Sequence, residues 1–443
     1  MVSLRTRRRQ RALVRPGPTV HLVTLGCAKN LVDSERLLAR LVRGGAVIVG
    51  RPQDAEVIVV NTCAFIEAAR RESVDTILSL ARWKTEGRCR RLIVMGCLGE
   101  RYRADLVSAL PEADRVFGIR ELDDVVDSCG AARVRTTSER LLLTPRHTAY
   151  LRISDGCSNR CAYCAIPAIR GPYRSRPFAD IVREAEELVA GGVRELILIG
   201  QDTTLYGSDL RGRRIEDLLA RLAEIRRLRW LRLLYTHPAH FSEGLIEAYA
   251  SIPKLCPYVD LPVQHLDDAI LRRMGRHVTR DEILALVDRI RERIPDVVIR
   301  TTIIVGFPGE TREQFNDMLR LLRRLRFDHL GAFAYSREDG TSAARMGGQV
   351  SERTKERRLR DLMLAQRRLV RFNQRRWVGR QVELVVDAKG PDDSWIARTR
   401  FQSPDVDGVT YIRGGELLPG RFLRARITGF RSYDLIAEPD GTS

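Results

Sequence analysis

Cys157, Cys161 and Cys164 form the densest group of chemically reactive side chains in the sequence. They are spaced C-x3-C-x2-C, with Tyr163 before the last thiol, and they follow the apolar run AYLRIS, which is typical of a strand. Three thiolates in one compact loop can hold three irons of a 4Fe–4S cluster and leave the fourth iron open. Structural zinc needs a closed set of four ligands, and no fourth Cys or His lies nearby in sequence. The spacing therefore favours iron–sulfur chemistry over zinc.

A second set of cysteines, Cys27, Cys63 and Cys97, shares one position in a repeated pattern. Each ends a strand-like run (HLVTLGC, VIVVNTC and LIVMGC) and is followed by polar or helical sequence. Because the carboxyl ends of parallel strands meet at one edge of a sheet, these cysteines can converge and hold a shared metal cluster. The alternative is that they are three buried cysteines that pack as small apolar residues.

The remaining cysteines, the apolar runs and the amino-terminal charges indicate where in the cell the protein is located. The remaining cysteines of the nine, Cys89, Cys129 and Cys256, show no such pattern and are expected to be structural. No apolar run reaches the roughly 20 residues needed to cross a bilayer, and the first 18 residues carry six Arg with no apolar segment. A cytoplasmic location, with reduced thiols and no membrane partner, is expected.

The elements that must position the cysteines predict an α/β protein with three folded regions. Alternating apolar runs and helices predict an open parallel α/β sheet domain at 19–130. Six further strand-like runs separated by amphipathic helices predict a β/α barrel at 143–374. Five short runs separated by Gly, Pro and Asp predict a small β-barrel at 375–441. The Arg-rich segment 351–376 predicts a linker helix, and residues 1–18 are expected to be a disordered basic tail.

Polar or Gly-rich segments follow the predicted barrel strands, where chemistry is sited in barrels of this kind. They are Gln201-Asp202-Thr203, His237-Pro238, Gln264-His265 and Gly306-Phe307-Pro308-Gly309-Glu310. Gly306 and its neighbours could form a cofactor contact or simply a turn. Gln264 and His265 could equally be a satisfied polar pair at the end of a strand.

The C-x3-C-aromatic-x-C pattern after the first barrel strand resembles that of the radical S-adenosylmethionine (SAM) superfamily. The resemblance implies that SAM chelates the open iron and is cleaved to methionine and a 5′-deoxyadenosyl radical, which removes hydrogen from an unactivated carbon. It also implies that Gln201, Asp202 and Thr203 meet the methionine end of SAM. The segment from Thr302 to Gly309, with Gly306, would meet the adenosine.

From about residue 20 to 440 the whole arrangement resembles the methylthiotransferases, with a terminal barrel similar to a TRAM domain. That resemblance implies a second 4Fe–4S cluster on Cys27, Cys63 and Cys97, and SAM as both radical source and methyl donor. LGCAKNLVDSE at 25–35 and QDTTLYGSDL at 201–210 resemble members that methylthiolate the β-carbon of an aspartate in ribosomal protein S12. Ala28 departs from the family, which often has Pro at that position.

Charge is compatible with a protein substrate. The formal net charge is +19, yet the sequence from Arg375 onward holds 11 Lys and Arg against 10 Asp and Glu. A dedicated tRNA-binding module should be strongly basic, so a near-neutral barrel favours docking on a basic ribosomal protein, with the remaining charge helping the approach to the small ribosomal subunit.

Two alternatives stay open from sequence: a methylthiotransferase acting on tRNA adenosine, and a non-catalytic iron–sulfur protein that binds RNA or assists ribosome assembly. For a catalytic member, an electron donor such as a flavodoxin or ferredoxin is expected.

Overall fold

The computed structural model describes residues 17–134 and 140–440, which form two compact units. The first comprises the described parts of Met1–Gly26, Asp33–Cys63 and Arg71–Leu141; the second comprises those of Cys27–Val32, Ala64–Arg70 and Leu142–Ser443. The predicted basic tail lies almost wholly outside the described residues. The domain boundaries expected from the sequence stay a prediction. Among the described helices, none is both long enough and apolar enough to cross a membrane.

The first unit is built on a five-stranded sheet in the order β2-β1-β3-β4-β5, and all its strand pairs are parallel. Every residue of the central strand, VIVVNT, is buried, as expected for a parallel sheet covered on both faces. The open parallel sheet predicted from the sequence is therefore confirmed. Its strands are β1 (Thr19–Thr24), β2 (Val47–Ile48), β3 (Val57–Thr62), β4 (Arg91–Gly96) and β5 (Arg115–Val116). The helices up to this point are α1 (Ala28–Arg43), α2 (Glu67–Ala81), α3 (Trp83–Glu86), α4 (Cys97–Ala109) and α5 (Leu122–Ser128).

The second unit contains the six strands predicted for the β/α barrel. They form two three-stranded parallel sheets, β6-β9-β10 and β11-β12-β13. The Cys256 N–H donates to the Leu231 carbonyl at 2.8 Å and so joins β10 to the segment entering β11. A short antiparallel pair, β7 with β8, flanks the cysteine loop. The strands are β6 (Thr148–Arg152), β7 (Ser154–Asp155), β8 (Arg174–Ser175), β9 (Glu195–Ile199), β10 (Trp230–Leu233), β11 (Tyr258–Asp260), β12 (Val298–Val305) and β13 (His329–Ala334).

Helices cover these strands and bury a large apolar core against them. Two helices begin with reciprocal capping boxes, in which Thr279 pairs with Glu282 and Thr311 pairs with Gln314. The helices are α6 (Ile166–Arg170), α7 (Phe178–Ala190), α8 (Ile215–Ala223), α9 (Glu243–Ser251), α10 (Asp268–Met274), α11 (Arg280–Arg293), α12 (Arg312–Leu325) and α13 (Glu352–Gln374). Short 3-10 helices lie at Pro52–Asp54, Pro238–His240, Ala343–Arg345 and Arg375–Trp377.

After α13, which is the predicted linker helix, five strands close into a small barrel in the order β14-β15-β16-β18-β17. This terminal barrel confirms the predicted five-stranded β-barrel, and its apolar interior includes Val385, Ile412 and Leu435. Its strands are β14 (Gln381–Lys389), β15 (Ser394–Thr399), β16 (Thr410–Arg413), β17 (Phe422–Arg431) and β18 (Asp434–Pro439).

Buried ion pairs fasten the terminal barrel to the β/α barrel. The Arg398 guanidinium on β15 contacts Glu195 on β9 at 2.8 Å and Asp387 on β14 at 2.6 Å. Glu195 also pairs with Arg232 at 3.1 Å, and Asp387 also contacts His147 at 2.8 Å. These carboxylates lie at or beside the amino ends of the barrel strands, so the carboxyl ends, where the cysteine loop lies, are free for chemistry.

Candidate active site

The loop that carries Cys157, Cys161 and Cys164 is shaped by its own backbone. The Cys164 N–H donates to the Cys161 carbonyl at 3.0 Å, which folds the second half of the loop into a tight turn. The Cys157 N–H donates to the carbonyl of Gly171 at 3.1 Å, which ties the start of the loop to the segment that enters β8. All three thiols are partly exposed at the carboxyl end of the first barrel strand.

The pKa values of the Cys157 and Cys164 thiols are affected both by burial and by the neighbouring cysteines of the loop. Burial, with smaller contributions from the nearby Cys161 and Cys157 thiolates, raises the pKa of Cys164 to about 12. Burial also raises the pKa of Cys157, with Cys161 adding to the effect. Thiols of this kind become thiolates when a cation binds, because metal coordination reverses the local pKa preference. The donor set therefore fits three ligands of an iron–sulfur cluster.

A buried guanidinium lies beside this loop. Arg276 follows the end of α10, and its Nη1 lies 3.9 Å from the Cys161 Sγ while its Nη2 donates to the Pro262 carbonyl at 2.6 Å. A fixed positive charge at this position attracts anionic ligands through Coulombic interaction. Nothing in the local sequence marks this arginine, because its contact with Cys161 spans 115 positions of the chain.

Asp202 lies after the carboxyl end of β9 and connects it to the cysteine loop through a hydrogen bond. Its Oδ2 accepts from Asn159 Nδ2 at 2.8 Å and lies 2.8 Å from His240 Nδ1, while its Oδ1 accepts from the Thr204 hydroxyl. Burial would raise the pKa of Asp202, but the hydrogen bond from His240 and the other contacts more than offset it and hold the pKa low. Asp202 is therefore an ionised hub that positions the loop.

Asp202, His237 and His240 place ligand atoms within 4.8 Å of one another, as in a metal site. Their hydrogen bonds argue against that role. The Nδ1 of His237 accepts from a backbone N–H two residues further on at 3.2 Å, which leaves the proton of the neutral ring on Nε2. Burial lowers the pKa of His237 to about 2, so the ring stays neutral. The group is a hydrogen-bonded network that supports Asp202.

Gln201 and Thr203 differ in how their polar atoms are used. The Thr203 hydroxyl is buried and donates to the Leu234 carbonyl at 2.7 Å. The Gln201 Nε2 donates to Asp155 at 3.2 Å, but its Oε1 is buried without a hydrogen-bond partner among the described residues. A buried amide oxygen left in this state costs free energy unless a ligand satisfies it. Of the predicted segment, Gln201 is the residue whose chemistry points to a ligand.

The segment at Gly306 is a fixed turn. Gly306 has a φ of +71°, and a Cβ there would lie 2.4 Å from the Lys355 Cγ, so only glycine fits. The N–H groups of Gly306 and Phe307 donate to the Glu310 carboxylate at 2.6 and 3.3 Å, and Arg358 contacts that carboxylate at 2.9 Å. Burial raises the pKa of Glu310 to about 7, against the opposing effect of Arg358 and of both N–H groups.

A cavity of about 160 Å³ opens beside this turn at the ends of β12 and β13. Tyr163 of the cysteine loop contributes to its wall. Gln264, with a φ of +68°, lines the cavity, and its Oε1 is buried without a partner among the residues that the structure describes, as is the Tyr335 hydroxyl. The full lining is Phe65, Ile66, Tyr163, Gln264, Thr302, Ile304, Phe333, Ala334, Tyr335, Ser336 and Glu338. Apolar walls with a few unsatisfied polar atoms are typical of a pocket for a small organic group.

His265 serves the fold rather than the cavity. It is fully buried, its Nδ1 accepts from the Asp267 N–H at 3.0 Å, and its Nε2 lies 3.8 Å from Glu310. The two neighbours that the sequence could not separate thus differ: Gln264 lines the cavity, whereas His265 is buried outside that lining with its Nε2 near Glu310.

The second set of cysteines follows three neighbouring strands. Cys63 comes directly after β3 and Cys97 begins α4 directly after β4, and both are buried; Cys27 comes three residues after β1 and is exposed. Gly96, with a φ of +101°, must be glycine, because a Cβ there would lie 2.3 Å from the Asn61 Oδ1. The adjacency of β1, β3 and β4 in the sheet agrees with the predicted pattern. The assignment of these cysteines to one cluster stays a prediction.

Family models match three parts of the chain. A model described as the radical SAM superfamily matches residues 151–322. A model described as uncharacterized protein family UPF0004 matches residues 19–118, and a TRAM domain model matches residues 378–439.

Curated relatives match nearly the full length. The ribosomal protein uS12 methylthiotransferase RimO of Syntrophus aciditrophicus (strain SB) is 45% identical over 443 residues, covering 95% of this chain and 98% of the relative. The protein of the same name from Geobacter sulfurreducens is 45% identical over 437 residues, covering 95% and 98%. Among solved structures, the radical S-adenosylmethionine methyltransferase TsrM from Kitasatospora setae matches with a TM-score of 0.51 at 17% identity, covering 72% of this chain and 75% of that one. At that identity the match shows the fold alone.

Proposed function

This chain belongs to the RimO family of radical SAM methylthiotransferases, and on that premise we propose that it adds a methylthio group to an aspartate of ribosomal protein uS12. The transfer replaces one hydrogen on the β-carbon of the aspartate with SCH3. Enzymes of this family use two 4Fe–4S clusters and SAM. When bound, these groups supply the radical that removes hydrogen from an unactivated carbon, the sulfur and the methyl group.

The observation that carries the proposal is the near-complete match, at 45% identity, to relatives named for this substrate and reaction. The loop at Cys157, Cys161 and Cys164 supports it, because three partly exposed thiols lie where a cluster and its ligand would be reached from the carboxyl end of the barrel. We assign these three cysteines to the cluster that binds SAM.

The chain's own residues orient SAM and keep water away from it. Gln201 offers the buried Oε1 to the methionine portion, and Asp202 holds the cysteine loop in register through Asn159. We place the adenosine in the cavity beside Gly306, where Gln264 offers a buried amide oxygen. Thr203, as the third residue of that predicted segment, acts by fixing the backbone to Leu234.

We assign Cys27, Cys63 and Cys97 to the second cluster. The assignment is supported by their positions after three adjacent parallel strands of one sheet. In the first unit, the Ser73 hydroxyl donates to the Cys63 carbonyl at 2.9 Å and its oxygen accepts from the Cys63 N–H at 3.1 Å. These bonds fix the backbone from which the thiol projects.

The proposed reaction implies partners. We propose that uS12 is modified on the small ribosomal subunit, that the enzyme is cytoplasmic, and that a flavodoxin or ferredoxin supplies electrons at low potential. The charge of the chain supports modification on the small ribosomal subunit, since a chain with a net charge of +19 is attracted to a ribonucleoprotein particle.

Mass spectrometry of the product tests the substrate. The reconstituted enzyme, supplied with SAM and a reductant, should convert one aspartate of uS12 to a residue heavier by SCH3 minus H. Isopentenylated tRNA in a parallel reaction should stay unmodified. A methylthio group on tRNA, with uS12 unchanged, would show that the substrate assigned here is wrong.

A further inference from the structure

The carboxyl-terminal halves of α12 and α13 expose arginine without any acidic residue. Residues 318–326 contain four Arg and no Asp or Glu, and residues 362–376 contain five Arg and no Asp or Glu. Six of these arginines, three on each helix, define what we call the arginine face, and all are exposed. They are Arg320, Arg323, Arg324, Arg367, Arg368 and Arg371.

The two helices lie side by side, so their exposed residues form one surface. Near their amino ends, the Arg358 guanidinium of α13 lies over the Phe315 ring of α12 at 5.5 Å. At the other end, Asn373 Nδ2 donates to the Arg326 carbonyl at 3.3 Å, and the Arg326 guanidinium lies 4.6 Å from the centre of the Phe372 ring. The contacts at both ends follow chain order, so the helices run in the same direction.

Most of these charges have no carboxylate partner among the described residues. Within the described part of the chain, Arg323, Arg324, Arg367, Arg368 and Arg371 form no ion pair, although Arg320 pairs with Asp317 at 3.0 Å. Some arginines at the surface of other helices are paired: on α8, Arg221 contacts Glu186 at 2.7 Å, and on α11, Arg293 contacts Glu247 at 2.7 Å.

Stabilisation of the helix ends accounts for only some of the six arginines of this face. Basic residues stabilise the last turn of a helix through the helix dipole, and the effect falls off within that turn. Arg320, Arg367 and Arg368 lie before the last turns of α12 and α13. An array of unpaired cations that extends beyond the caps is therefore available for an external anion.

We propose that the arginine face binds the phosphate backbone of structured RNA on the small ribosomal subunit. Arginine recognises phosphate through paired N–H donors, and successive turns of α13 repeat these donors about every 5.4 Å. Phe372, 53% exposed and next to Arg326, adds an aromatic surface of the kind that RNA-binding proteins offer to bases. The identity of the RNA rests on the proposed function, whereas the inference that this cationic face binds an anionic ligand does not.

A membrane surface is a poorer match. A helix that lies on a membrane inserts its apolar face into lipid, but Leu322, Leu362 and Val370 on the opposite faces of these helices are already buried in the protein. The exposed side is left with charge and little apolar surface, which suits phosphates in water.

Fluorescence anisotropy with the full chain and a labelled RNA duplex tests the proposal. The test variant replaces Arg367, Arg368 and Arg371 with Gln. A matched control replaces Arg211, Arg226 and Arg227, which are also exposed, so that the net charge falls equally. The test variant should bind about tenfold more weakly at moderate salt, and its plot of log affinity against log salt should flatten by about 2 to 3, since each phosphate contact contributes about 0.7 to 0.9.

The control should bind nearly as the unsubstituted chain does. Equal losses in both variants would show that net charge alone matters, and no loss in the test variant would remove the face from the interface; either result overturns the proposal. Tighter binding to vesicles of phosphatidylglycerol than to the duplex would overturn it as well. Far-ultraviolet circular dichroism establishes that both variants are folded.

Activity assays distinguish RNA binding by the arginine face from the proposed methylthiolation of uS12, on which it partly rests. The test variant should modify isolated uS12 at the unsubstituted rate but modify uS12 in intact small subunits more slowly. Equal rates on intact subunits overturn the docking role. If the unsubstituted enzyme modifies uS12 in neither form, the proposed function fails, and the duplex-binding result still decides whether the face binds RNA.

Discussion

Replacing Arg398 with Met should destabilise the junction between the terminal barrel and the β/α barrel. Arg398 is 4% exposed, and its partners Glu195 and Asp387 are 0% and 16% exposed. Removing one partner of a buried ion pair costs about 3–5 kcal/mol, because a charge is left buried and unpaired. Here Glu195 keeps Arg232 and Asp387 keeps His147. We therefore expect the lower end, about 3 kcal/mol.

Urea denaturation followed by tryptophan fluorescence measures this loss, because Trp377 and Trp395 lie at and within the terminal barrel. The control is Arg424→Met, an exposed position on the same barrel, which should change the free energy of unfolding by no more than about 0.5 kcal/mol. Adding Asp387→Asn to the Arg398 variant should recover part of the loss, since it removes one of the two carboxylates that have lost Arg398 as a partner.

The reasoning is refuted if Arg398→Met unfolds within about 1 kcal/mol of the unsubstituted chain. It is also refuted if Arg424→Met is equally destabilising, since exposure would then not matter. A double variant less stable than Arg398→Met alone would show that Asp387 stabilises the junction through contacts other than its charge.

Further predictions concern the clusters, acid stability and the turn at Gly306. Cys161→Ser should lower the iron content by one cluster and abolish formation of 5′-deoxyadenosine; undiminished formation would place the cluster elsewhere. Cys63→Ser should abolish methylthio transfer but leave some SAM cleavage, and retention of both full iron content and transfer would contradict the second-cluster assignment. Burial would raise the pKa of Asp387, but hydrogen bonds from His147 and Arg398 hold it below the usual 3.8, so its contribution to stability is complete above that value and is lost as pH falls further. The urea midpoint should accordingly drop more steeply below that pH in the unsubstituted chain than in Asp387→Asn. Gly306→Ala should weaken SAM binding measured by equilibrium dialysis, because the added Cβ meets Lys355 at a positive φ; unchanged affinity would mean that the turn does not contact SAM.

The local sequence pattern predicted strands in all three folded regions. The run VIVVNT begins with four consecutive apolar residues and forms a fully buried parallel strand, and the six apolar-rich runs of the barrel also form strands. The five strands of the terminal barrel are separated by Gly, Pro and Asp, which mark turns in sequence as well as in structure. The positions of cysteines after strands were predictable for this reason.

The partners that support the site were not predictable, because they come from distant parts of the chain. Arg276 reaches Cys161 across 115 positions, and Arg358 reaches Glu310 across 48. His240 is also not predictable from the sequence, although it lies only three residues after His237. Its stacking on His237, with ring centres 4.7 Å apart, depends on a short 3-10 helix that the sequence pattern did not reveal.

The buried ion pairs between the terminal barrel and the β/α barrel also limit which chimeras of related enzymes can be made. Arg398 depends on Glu195, and Asp405 accepts from the Tyr150 hydroxyl at 2.9 Å, so the terminal barrel and the β/α barrel share buried groups. A chimera that imports a relative's terminal barrel must import compatible residues at 150 and 195 as well. Substitutions at these positions, which lie more than 200 residues apart in the chain, should therefore affect stability non-additively.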